Sequence, residues 1–140
     1  MPSTILAFDF GHRRIGVAVG QDITGSASPL GVVRNGESGV DRDRIEALIR
    51  EWQPTTLVVG KPLHADGSDS DMTADARAFA ESLRDLGLPV AMTDERFSSV
   101  EAERQLKEAR ASGQRGRISR EDIDAAAAVT IAERYLAGTG

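Results

Sequence analysis

A chain of 140 residues is one domain of common size, long enough to bury about two-thirds of its unfolded surface without staples. It has no cysteine, which excludes disulfides, thiolate metal sites and a cysteine nucleophile and fits a reducing compartment. A formal charge of −5, from 22 acidic and 17 basic residues, excludes a uniformly basic nucleic-acid binder and leaves room only for a local basic patch.

The opening "MPSTILAFDFGHRR" has no cationic stretch ahead of its apolar run, and the run is far too short to cross a bilayer. A soluble, cytoplasmic protein with no membrane partner is expected. "TILAFDF" and "RIGVAVG" read as two strands joined by a tight turn at Gly11, and "PLGVVRN" as a weaker third. In "DRDRIEALIREW", Ile45, Leu48, Ile49 and Trp52 recur at helical spacing behind a plausible N-cap, Asp41. "TTLVVG" is a β-branched strand, followed by the irregular "KPLHADGSDSD". "MTADARAFAESLRDLG" is helical with Gly87 closing it, and "LPVAMTDE" is a short strand. "SSVEAERQLKEAR" opens with a capping box, Ser98 and Glu101. The segment "RASGQRGRISR" holds arginines and no acid, with the glycines and serines of a loop. A last helix starts at Ser119.

The order βββαβαβαα predicts an α/β fold with a mixed sheet, early strands in hairpins and later ones linked by crossovers. Ligands in such sheets gather at the carboxyl ends of the strands. Asp9, Gly60 with Lys61, and Asp94 to Arg96 are predicted to stand at those ends.

Three acids sit in unusual settings. Asp9 lies between Phe8 and Phe10, where a carboxylate costs several kcal/mol unless something pairs with it. Glu95 follows a buried-type strand. Asp124 shares a helical face with Ala128 and Ile131, among alanines small enough to let the helix approach a sheet closely. Asp122, three residues after Ser119, reads instead as a capping acid. Each acid taken singly could be half of a salt bridge to Arg13, Arg14 or Arg96. Taken together, without histidine or cysteine, they suit hard cations such as Mg²⁺ or Mn²⁺. Two such ions can clamp the attacking and leaving oxygens of a phosphodiester.

Four blocks in order, "LAFDFGHRRIGVAVG", "LVVGKPLHADGS", "TDERFSSVEAE" and "IDAAAAVTIAERYL", resemble the YqgF/RuvX group of RNase H-like nucleases, the pre-16S rRNA nuclease or Holliday junction resolvase-like proteins. The resemblance spans nearly the whole chain. It implies a single RNase H-like domain over residues 1–140, with a central five-stranded mixed sheet flanked by helices. It also implies that Asp9, Glu95 and Asp124 are the catalytic, metal-holding acids, with two Mg²⁺ or Mn²⁺ ions as cofactor. His12 stands where lysine or another polar residue is common in the group, and Lys61 where an apolar one is frequent; neither belongs to the acid set. His12 reads as a turn residue and His64 as a surface-loop residue.

On this reading the chain hydrolyses internal phosphodiester bonds of structured nucleic acid. Arg13, Arg14, Lys61 and Arg96 would rim the strand ends and meet substrate phosphates, while Arg115, Arg117 and Arg120 track the backbone beyond them. If Arg13 and Arg14 begin the second strand, alternation sends them to opposite faces, so at most one faces Asp9. Phe79 is expected in the core. The first block also resembles the phosphate loop of actin-like ATPases, which need a second domain that this length does not supply. A non-catalytic ribosome-assembly module is a further alternative, opposed by the three intact acids. Precursor rRNA, free or in ribosomal particles, is favoured over a four-way DNA junction, because a junction resolvase needs a symmetric dimer and no dimer seam is evident. A monomer or weak homodimer is expected.

Overall fold

The computed structural model describes residues 3–37, 39–63, 66–94 and 120–138. Strands β1 (Thr4–Asp9), β2 (Arg14–Gln21), β3 (Ser26–Gly36) and β4 (Gly39–Val40) precede helix α1 (Arg42–Trp52). Then come β5 (Thr56–Lys61), helix α2 (Thr73–Leu83) with a 3-10 turn at Arg84–Leu86, β6 (Val90–Asp94) and helix α3 (Arg120–Gly138). The sheet order is β4-β3-β2-β1-β5-β6. Neighbours from β4 to β1 pair antiparallel, and β1, β5 and β6 pair parallel.

The α/β mixed sheet is as expected, with one correction: it has six strands rather than five. The addition is β4, a two-residue strand that pairs Val40 with Asn35 and Gly39 with Gly36. Two residues carry no periodicity, so nothing in the sequence could announce it. β3 is also longer than "PLGVVRN". It starts three residues earlier, at Ser26, and carries a bulge: Val17 faces Gly31 and Ala18 faces Pro29, leaving Leu30 as the extra residue. The expected helix from Ser98 and the arginine-containing loop lie outside the described residues.

Strand alternation splits the core between the two faces of the sheet. One face turns Leu6, Phe8, Ile15, Val17, Val19, Val33, Leu57 and Val59 towards Ile45 and Leu48 of α1 and Phe79, Ala80 and Leu83 of α2. Phe79 is buried there, edge-on to Phe8 at 5.8 Å between ring centroids. The opposite face packs Ile5, Ala7 and Val58 on Ile131 and Ala132 of α3. Asp41 caps α1 as expected, its Oδ1 accepting from the Arg44 N–H at 3.2 Å. Gly87 ends the turn after α2 at φ 85°, the left-handed conformation that favours glycine.

Candidate active site

β1 and β3 run in one direction and β5 and β6 run parallel to β1, so their carboxyl ends lie together at one end of the sheet. The amino end of β2 comes to the same place. Asp9, Arg14, Gly36, Lys61 and Asp94 are the terminal residues there.

Phe8 belongs to the core on the α1 and α2 face, and Phe10 stacks with Phe79 on that side at 5.4 Å. Alternation therefore turns Asp9 to the other face, with Ile5 and Ala7. The two phenylalanines that flank the carboxylate in sequence do not enclose it, and Asp9 is half-buried.

Asp9 lies directly across from Gly16 in the β1–β2 ladder, so both residues point towards α3. A Cβ on Gly16 would overlap the main-chain carbonyl oxygen of Asp124. Glycine is thus required where the helix backbone descends on the sheet, and the contact sets Asp124 over the strand position facing Asp9. Ala125, Ala127 and Ala128, all buried, continue this close approach along the helix. Ala128 and Ile131 are fully buried, as the helical face through Asp124 predicts.

Arg14 Nε donates to Asp124 Oδ2 at 2.8 Å, with about a quarter of each side chain exposed. Arg14 faces Arg34 across the β2–β3 ladder, next to the pair Ile15 and Val33 on the opposite, α1 side. Arg14 is therefore the one of the two adjacent arginines that reaches the acid face. Arg13 precedes β2 and is exposed. Asn35 fixes the turn between them: its Nδ2 donates to the Gly11 carbonyl at 2.7 Å and its N–H to the Arg13 carbonyl at 2.9 Å. His12 is an exposed turn residue, with Nε2 2.7 Å from Asp75 Oδ2 in the first turn of α2.

Lys61 closes β5 opposite Asp94 in register. By alternation from Val59 and Met92 it falls on the α2 face, away from Asp9. At the end of β6, Arg134 of α3 donates to the Asp94 carbonyl at 3.2 Å, tying the helix to the strand that leads into Glu95. Glu95, Arg96, Arg115 and Arg117 lie outside the described residues, as does His64; of Arg120 only the backbone is described, as the first residue of α3.

The described part of the site is therefore two carboxylates, Asp9 and Asp124, on one face at the carboxyl end of the sheet. Among the described residues no three acidic or histidine side chains group to hold a metal ion. The donors present are hard carboxylate oxygens, and Oδ1 of Asp124 accepts no hydrogen bond among the described residues. This donor set fits Mg²⁺ or Mn²⁺ rather than a softer ion. Gly16, Arg34, Asn35 and Arg134 were not singled out in the sequence. A glycine inside a strand does signal close backbone approach, so Gly16 was readable; the other three emerge only from register and packing.

The family model described as "RuvX: Holliday junction resolvase" matches residues 3–138. A protein of Burkholderia lata named "Putative pre-16S rRNA nuclease" is 47% identical over 135 residues, covering 96% of this chain and 89% of its own. An Escherichia coli O157:H7 protein of the same name is 45% identical, covering 97% of each chain. Among solved structures, Thermus thermophilus RuvC in complex with a Holliday junction substrate aligns over 99% of this chain and 98% of its own, with TM-score 0.57 and 17% identity. The yeast mitochondrial Holliday junction resolvase Ydc2 aligns over 94% of this chain and 77% of its own, with TM-score 0.53 and 9% identity. At those identities the two structures show the RNase H-like fold alone. The chain belongs to the RuvX family, nucleases of RNase H-like fold that hydrolyse phosphodiester bonds.

Proposed function

We propose that this chain is a divalent-metal-dependent endonuclease that trims the 5′ end of precursor 16S rRNA in the cytoplasm. The observation that carries the reading is the pairing of Asp9 with Gly16, over which the backbone of Asp124 sits. That arrangement brings two acids, far apart in the chain, to one face at the strand ends. The names of relatives at 45–47% identity support RNA as the substrate.

Asp9, Asp124 and Glu95 would hold a pair of Mg²⁺ or Mn²⁺ ions, which supply Lewis-acid stabilisation and an activated water when bound. Asp124 keeps Oδ2 on Arg14 and offers Oδ1, so the guanidinium orients the carboxylate and offsets one negative charge. Arg13 and Arg14 lie at the acid end and meet substrate phosphates, and Lys61 and Arg96 flank the neighbouring strand ends. Arg115, Arg117 and Arg120 are assigned to the backbone beyond the cut. The charge balance requires this division of labour: an acidic centre in a chain of net charge −5 attracts a polyanion only with cations in place.

A second reading, cleavage of four-way DNA junctions, is favoured by the description of the family model. One experiment separates the two. Wild type and Asp9→Asn are incubated in parallel with a precursor 16S rRNA 5′ end and a synthetic four-way junction, in Mn²⁺ and in excess chelator. Cleavage of the RNA by wild type in Mn²⁺ alone is expected. Junction cleavage in its place would select the second reading. Full activity of Asp9→Asn, or of wild type in chelator, would overturn the metal-dependent mechanism.

A further inference from the structure

We propose that Arg34 and Arg13 form a backbone-phosphate subsite at the end of β3, outside the acid pair, that holds the nucleic-acid strand beyond the cleavage site. The proposal rests on the nuclease reading above and adds a residue, Arg34, to which no role has been given.

Three observations converge on it. A groove of about 560 Å³ lies at the tip of β3, lined by Arg13, Arg34, Asn35, Glu37 and Asp41 together with Gly36, Gly39 and Val40. Arg34 stands directly opposite Arg14 in the antiparallel ladder, a like-charge pair. Asp124 neutralises Arg14. Neither Arg34 nor Arg13 has an ion pair or side-chain hydrogen bond among the described residues, and both are exposed. With Arg14 already paired, Arg34 and Arg13 are the positive charges at this end of β3 that a bound phosphate would compensate.

The groove also shares the β1–β2 turn with the site. Arg13 sits between Asp9 and Arg14 in the turn, and Asn35, between Arg34 and the rest of the groove, holds that turn through the Gly11 and Arg13 carbonyls. The turn is thereby fixed to β3, so the two guanidinium groups share one frame with the carboxylates. The groove also contains two acids. Asp41 is committed to capping α1, whereas Glu37 is exposed at the rim and opposes the proposed ligand.

The test uses the Asp9→Asn protein, which leaves the probe uncut, and a fluorescein-labelled fragment of the precursor 16S rRNA 5′ end. Anisotropy is followed between about 50 and 200 mM salt, where each lost phosphate contact lowers the slope of log K against log[salt] by roughly one. Adding Arg34→Gln is expected to lower the slope by about that amount and to weaken binding several-fold at low salt. Glu37→Gln is expected to strengthen binding. Arg50→Gln makes the same charge change at the far end of α1 and is expected to leave the slope unchanged. An Arg34→Gln slope equal to the parent's, or an equal fall in Arg50→Gln, would overturn the subsite and spare the nuclease reading. So would a marked drop in the melting temperature of Arg34→Gln, which would make the residue structural. No RNA binding by the Asp9→Asn parent would overturn both.

Discussion

The two faces of the sheet are built from opposite materials. Towards α1 and α2 the strands present large side chains, among them Leu6, Phe8, Ile15, Val17, Val33 and Leu57. Towards α3 they present mostly small residues, Ala7, Gly16, Ala18 and Gly20 beside Ile5 and Val58, answered on the helix by alanines and Ile131. Apolar area removed from water stabilises at about 25 cal/mol per Å², so the first face dominates the stability. The second buries less per residue but lets backbone meet backbone. At Gly20 an added Cβ would stand 3.2 Å from Leu136 and 3.4 Å from Ala132, and at Gly16 it would overlap the helix main chain. Stability is concentrated on one face and positioning on the other, and the acids belong to the positioning face.

If that division holds, substitutions on the two faces will separate stability from activity. Leu83→Ala, at the fully buried end of α2 in the core on that face, is expected to cost about 2–5 kcal/mol in denaturant unfolding. Its cleavage rate per folded molecule should stay near that of wild type. Gly16→Ala is expected to cost less stability, about 1–3 kcal/mol, because α3 must shift outward. Its cleavage rate should fall about 100-fold, since displacing a catalytic group by about 1 Å has an effect of that size. Comparable rate losses in the two variants would break the contrast. Arg14→Gln should have the smallest effect: roughly tenfold in rate at saturating Mn²⁺, with partial recovery in Arg14→Lys and little change in melting temperature.

Much of this division was legible in the sequence, because its two periods are simple. Alternation in "TILAFDF" and "RIGVAVG" gave both strands, and the four-residue step from Asp124 to Ala128 put that acid on the buried face of its helix. The Asp41 cap and the β-branched "TTLVVG" were equally plain. What the sequence could not supply is register. Asp9 opposite Gly16, and Arg14 opposite Arg34, are facts of pairing between strands, invisible to the composition of either one. The same limit hid the length of β3, since Ser26, Ala27 and Ser28 join the strand by pairing with Gln21, Gly20 and Val19. The salt-bridge reading of Asp124 and the metal reading also turned out to be compatible rather than exclusive. Arg14 takes one carboxylate oxygen and leaves the other.

The central claim is that Asp9 and Asp124 act as one unit, although 114 positions separate them in the chain numbering. Cleavage rates of Asp9→Asn, Asp124→Asn and the double variant on precursor 16S rRNA, with folding checked by circular dichroism, test it most directly. Residues that share one catalytic centre lose activity non-additively. Each single variant should be slower by about 10³-fold or more, roughly 4 kcal/mol, and the double variant no slower than either. An Asp124→Asn protein that cuts at the wild-type rate, or single losses that multiply in the double variant, would contradict the account.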